Sequence, residues 1–161
     1  MYKIVLLLHS YLRWPLLLLF ILLLIRSMTG WARGAKWRPG DTALLRWAAN
    51  VLALEFLIGL LLYVGLSPSI RLAFEDIRAA LRDGQLRYYL VEHSLLMAVA
   101  VTFMSIATGR IRRTAAKNRF RNTVTAVLVT LVIVAIAIPW PGTRAGRPLL
   151  RIEAQAAPAF F

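Results

Sequence analysis

The chain contains no cysteine. Disulfides, thiolate-held iron–sulfur clusters and covalent haem attachment through a C-x-x-C-H motif are thereby excluded, whereas a cofactor held without covalent bonds is not. Acidic residues are few: seven Asp and Glu stand against twenty Lys and Arg, a formal net charge of +13. Histidine is scarcer still, His9 and His93 being the whole supply. No internal repeat or low-complexity tract interrupts the 161 residues. Nor is there a nucleophile triad, a phosphate-cradling glycine loop or a pair of catalytic carboxylates. An electron-transfer or accessory role is therefore favoured over an enzyme acting on its own.

Apolar residues are abundant. The chain is 60% hydrophobic with a mean hydropathy of +0.67, against about 45–50% apolar content in soluble domains. Four apolar runs are long enough to cross about 30 Å of hydrocarbon. The expected fold is all-α: four transmembrane helices in an up-down-up-down bundle, at about 4–25, 47–66, 88–108 and 123–138. The first run exceeds the apolar core of a signal peptide and no small-x-small site follows it, so it reads as a retained helix. Pro15 is expected to kink it. After the second run, Ile70, Phe74, Ile77 and Leu81 recur at intervals of 4, 3 and 4, opposite Arg71, Glu75, Asp76, Arg78 and Arg82. That pattern predicts a short amphipathic helix at about 70–83, lying in the interface and ended by Gly84. Residues 26–46 read as a connector with Trp31 and Trp37 as interface anchors, and 110–121 as a basic loop. Residues 1–141 make one transmembrane domain, and 142–161 an extramembrane tail.

The positive charge clusters between the apolar runs, which marks membrane-flanking residues and a lipid bilayer as partner, with no nucleic acid. Eleven of the twenty Lys and Arg residues fall in the first and third connectors, 26–46 and 110–121. By the rule that basic loops stay inside, both termini are expected on the outer face.

The two histidines stand in matching places. His9 precedes Arg26 by 17 residues (26 − 9), and His93 precedes Arg110 by the same 17 (110 − 93). At 1.5 Å per residue, each imidazole lies roughly 25 Å from the same bilayer face. In an up-down-up-down bundle the first and third helices are parallel and diagonal, roughly 11–14 Å apart if neighbours pack at about 8–10 Å. Two imidazoles with an iron between them span about that gap. The expectation is one non-covalent haem b with His9 and His93 as axial ligands to its iron. Taken singly, each ring also reads as an interhelical hydrogen-bond donor. Arg13, one turn deeper than His9, suits a haem propionate or an ion pair with Glu55, and the ion pair is slightly favoured. Glu55 could alternatively handle protons for a quinone. Glu92 reads as a wet interfacial acid. Met97, four residues after His93, reads as packing before it reads as part of a copper site. Tyr11, Trp14, Tyr63, Tyr88 and Tyr89 read most simply as an aromatic belt.

His9-Ser10-Tyr11-Leu12-Arg13-Trp14, Leu57-Ile58-Gly59-Leu60-Leu61-Leu62-Tyr63, Arg87-Tyr88-Tyr89 with Glu92-His93 and Met97, and Ile138-Pro139-Trp140-Pro141 resemble a family of small bacterial four-helix membrane proteins labelled cytochrome b-like. The resemblance runs to Pro141 and implies His9 and His93 as haem ligands and a bacterial inner membrane, the termini then being periplasmic. The sequence departs from that pattern at Glu55, where a neutral polar residue is expected. Together these readings give a haem protein passing electrons between a quinone or membrane oxidoreductase and an acceptor near the outer face. The alternative is a cofactor-free scaffold subunit of a larger respiratory or photosynthetic complex, with other membrane subunits as partners. A small transporter is a third, weaker reading.

Overall fold

The computed structural model describes residues 1–143, 145 and 146. Its helices are α1 (Tyr2–Ala32), α2 (Pro39–Leu61), α3 (Pro68–Glu75), α4 (Ile77–Arg82), α5 (Gly84–Arg87), α6 (His93–Arg113) and α7 (Ala116–Ala137). A π-helical turn, Leu62–Leu66, extends α2, and a second, Tyr88–Glu92, joins α5 to α6. Four continuous helical stretches are long and apolar enough to cross a membrane: Tyr2–Ala32, Pro39–Leu66, Gly84–Arg113 and Ala116–Ala137. The protein is an all-α membrane bundle. Among the described residues there is no strand.

Each membrane helix packs on its chain neighbour, and α7 returns to pack on α1, closing the ring. Helices α1 and α6 are therefore diagonal, as the hydropathy pattern predicts. The buried stripe of α1 is Leu16, Phe20, Leu23, Ser27 and Gly30, at helical intervals of 4, 3, 4 and 3. It meets Leu45, Ala48, Ala49 and Leu52 of α2, Met97, Ala100 and Met104 of α6, and Val127 and Val134 of α7 in one core. The small residues let the backbones approach closely, which is where packing energy comes from when lipid is the alternative neighbour. Gly30 is the extreme case: a Cβ there would lie 2.6–2.8 Å from three ring carbons of Phe120.

The helices overrun the sequence-based limits, and local chemistry explains where they stop. Gly30 does not end α1, because it is a packing glycine. Gly34 does, at φ +59°: Ala35 N–H donates to the Gly30 carbonyl at 2.9 Å and Gly34 N–H to Trp31 at 3.2 Å, the two bonds of a Schellman stop. Helix α2 starts at Pro39, with its fixed φ, and the Asp41 carboxylate accepts the Arg38 N–H at 2.8 Å. The basic stretch 110–121 is nearly all helix. Arg119 ties its turn by donating to the carbonyls of Thr114 and Arg112, both at 3.0 Å. Pro15 lies inside α1, which stays helical through it.

The interfacial segment differs from the expectation. It is two short helices, broken at Asp76, whose side chain caps α4 by accepting from Ala79 N–H at 2.9 Å. Ile70, Ala73 and Ala80 face the bundle, while Leu72, Phe74, Ile77 and Leu81 are exposed. Gly84 opens α5 instead of ending a helix, because Asp83 accepts from Gln85 and Leu86 N–H at 2.9 and 2.7 Å. The start of the expected tail packs back on the bundle: Ala145 is buried and its carbonyl accepts from the Tyr89 hydroxyl at 2.8 Å. Of that tail, 144 and 147–161 lie outside the described residues.

Candidate cofactor-binding site

Near the end of the bundle that carries residue 2, a cavity of about 530 Å³ opens among α1, α2 and α6. Both histidines line it, with Arg13, Glu55, Gly59 and Met97. The imidazole of His9 stands 6.2 Å from that of His93, centroid to centroid, with the ring planes at 89°. Residues 84 positions apart, on diagonal helices, thus meet at one level. The size and largely apolar wall suit a bound organic group.

His93 is fixed by an end effect of α7. The helix breaks at Pro139 and Pro141, which lack the N–H groups that would have closed on the carbonyls of Ala135 and Ala137, four residues earlier. Carbonyls that lose their helical donors take others within reach. The Trp140 indole supplies one to Ala135 at 2.7 Å. Ala137 receives two, from the Tyr88 hydroxyl at 2.7 Å and from His93 Nδ1 at 2.7 Å. A carbonyl only accepts, so Nδ1 of His93 carries the proton and Nε2 carries the lone pair. The π-helical turn before His93 inserts a residue into the helix, and side-chain groups gather at the disturbed ladder. Ser94 Oγ donates to the Tyr89 carbonyl at 2.7 Å, and Tyr63 to the Leu90 carbonyl at 3.0 Å. Tyr88 and Tyr89 lie 6.0 and 6.2 Å from the His93 ring. Two residues that read as an aromatic belt are thus neighbours of the site.

His9 is held differently. Its Nδ1 stands 3.3 Å from Oε1 of Glu55, a contact long for a hydrogen bond. Its Cε1 would lie 3.1 Å from a Cβ placed on Gly59. Only a glycine lets α2 approach the ring this closely. Glu55 continues the buried stripe of α2 and is 4% exposed; its Oε2 has no hydrogen-bond partner. Arg13 lines the same cavity as Glu55 and His93. Glu55 thus stands in contact with His9, a pairing that spacing gives no hint of. Glu92 lies outside the site: it pairs with Arg87 at 2.8 Å, and both side chains are exposed. Met97 is buried in the core cluster.

Fold and site together define a class: a four-helix membrane bundle with a paired-histidine cavity. Compared with known proteins, the chain matches no family model, no curated protein and no solved structure.

Proposed function

We propose that this protein is a membrane carrier of a single b-type haem, with His9 and His93 as its axial ligands and Arg13 as the counter-charge to a propionate. The observation that carries the reading is the 6.2 Å separation of the two imidazole centroids across a shared cavity. Two metal–nitrogen bonds of about 2 Å, each lengthened by the roughly 1.1 Å from a ring nitrogen to its centroid, place two axial rings about 6 Å apart. The donor set fits as well. Among the described residues no group of three or more His, Cys, Asp or Glu side chains is placed to hold a bare metal ion. Two nitrogens suffice when the metal arrives with four equatorial donors of its own.

When bound, the group supplies one-electron redox chemistry. The chain's part is orientation and burial. The Ala137 carbonyl sets the tautomer and ring direction of His93, an outer-shell role of the kind that metal-ligating histidines require. Glu55 stands 3.3 Å from His9 Nδ1, where it would orient that ring, and largely apolar walls surround both imidazoles. We infer transfer of electrons between a membrane-soluble quinone or oxidoreductase and an acceptor at the outer face, in a bacterial inner membrane with periplasmic termini.

The test is a reduced-minus-oxidised spectrum of detergent-purified protein. A haem b spectrum is expected from the native chain and a loss of haem from His9→Ala and from His93→Ala. A colourless native protein, or haem content unaffected by both changes, sinks the reading. The alternative, a cofactor-free scaffold subunit, draws support from exposed Leu72, Phe74, Ile77 and Leu81 on α3 and α4. Colourless protein copurifying at one copy with a large membrane complex would favour it.

A further inference from the structure

A second feature lies at the other end of the bundle, about 25 Å along α1 from His9. The turn between α1 and α2 closes around a cleft of about 440 Å³ lined by Arg26, Thr29, Arg33, Lys36, Arg38 and Asp41. Charge inside it is settled unevenly. Asp41, 5% exposed, takes Arg26 Nε at 2.7 Å and Nη2 at 3.1 Å. That consumes one cation and the only carboxylate of the connector. Arg33, Lys36 and Arg38 remain, exposed and, among the described residues, in no ion pair.

The cleft is built. The turn at Gly34 and the start of α2 fix its two walls, and the 23-residue α2 adds the positive end of its dipole. Trp37 donates its indole N–H to Thr42 at 2.8 Å and packs on Phe120, ring centroids 4.8 Å apart, which pins the turn to α7. This face as a whole, cleft included, repels cations and attracts anions: eleven Lys and Arg lie in the two connectors against one acid. Leading away from the cleft into the membrane span, Leu18, Leu22, Ile25 and Thr29 recur at intervals of 4, 3 and 4 along α1, and all four are exposed.

We propose that this cleft binds the phosphate of an anionic glycerophospholipid, whose acyl chains lie along the α1 stripe. Guanidinium forks match phosphate oxygens in pairs, and basic pockets between membrane helices take anionic head groups. Free phosphate has the same head-group chemistry but makes no use of the apolar stripe, so the lipid is the better occupant.

Native mass spectrometry of the detergent-purified full chain tests this with three probes: dioleoyl phosphatidylglycerol, dioleoyl phosphatidylcholine and inorganic phosphate. One tightly held phosphatidylglycerol per chain is expected, with phosphatidylcholine binding at least tenfold more weakly and inorganic phosphate failing to displace the lipid. Each surface cation lost weakens binding roughly fivefold. The triple change Arg33→Gln, Lys36→Gln, Arg38→Gln should therefore weaken it about a hundredfold. All three side chains are exposed, so the fold should survive. The matched triple Arg112→Gln, Arg113→Gln, Lys117→Gln removes equal charge from the neighbouring turn and should cost less than about fivefold. Equal binding of phosphatidylcholine overturns the proposal, and so do equal losses in the two triples. Displacement by inorganic phosphate at equal concentration would make this an ion site and overturn the lipid assignment.

Discussion

Replacing Gly59 with alanine should separate cofactor binding from folding. The new Cβ would stand 3.1 Å from His9 Cε1, about 0.4 Å short of the roughly 3.5 Å at which carbon atoms make ordinary contact. The ring must move or turn by that amount. Metal–ligand distances tolerate only about 0.2 Å, and disturbing the support of a ligating histidine typically costs about 10–100-fold in affinity. Alanine in a helix interior is meanwhile favoured over glycine by about 1 kcal/mol. Helical stability should therefore rise or hold while haem affinity falls at least about tenfold. Gly109→Ala in α6 is the control, because nothing lies within 4 Å of its Cβ position. Haem titration and thermal unfolding followed by circular dichroism read the two quantities on one sample. Unchanged haem affinity in Gly59→Ala would refute the placement of His9 as a ligand held against α2.

Three further outcomes follow from the packing. Gly30→Ala drives a methyl group into the Phe120 ring and should destabilise the fold by about 1–3 kcal/mol, lowering the thermal midpoint and leaving the spectrum of any folded protein intact. In a double-mutant cycle, Arg26→Ala and Asp41→Ala should show a coupling of about 1–2 kcal/mol, since Asp41 is buried and its carboxylate takes two donors from Arg26; a coupling near zero would mean the pair is no better than a surface contact. Glu55→Gln keeps an oxygen facing His9 and should retain most of the haem, whereas Glu55→Leu should lose it; equal haem content in the two variants would deny Glu55 a part in orienting the ring.

The bundle is legible from sequence because its cause is global. Hydropathy over twenty residues fixes which segments enter the membrane, and short connectors force neighbours to pack in order. The meeting of His9 and His93 follows from those two facts and equal spacing. Helix ends are less legible because single groups decide them. Gly30 and Gly34 are the same residue type four positions apart, yet one packs under Phe120 inside α1 and the other adopts positive φ to end it. Asp76 splits a segment whose apolar spacing alone predicts one continuous helix, and of its four spaced apolar residues only Ile70 faces the bundle. At the site, the spacing of Pro139 and Pro141 already marks the Ala135 and Ala137 carbonyls as lacking their helical donors. What sequence does not give is the taker: His93 and Tyr88 reach Ala137 from another helix. The closeness of Gly59 and Glu55 to His9 is likewise a fact of interhelical register, invisible in one chain's pattern.

The most direct test of the paired-histidine centre is the low-temperature electron paramagnetic resonance spectrum of the oxidised, purified protein. Two imidazoles with planes crossed at 89° predict one strongly anisotropic low-spin ferric signal, replaced by a high-spin signal or none when either histidine is changed to alanine. No ferric haem signal from the native chain, or a high-spin signal that persists unaltered in His93→Ala, would contradict the account.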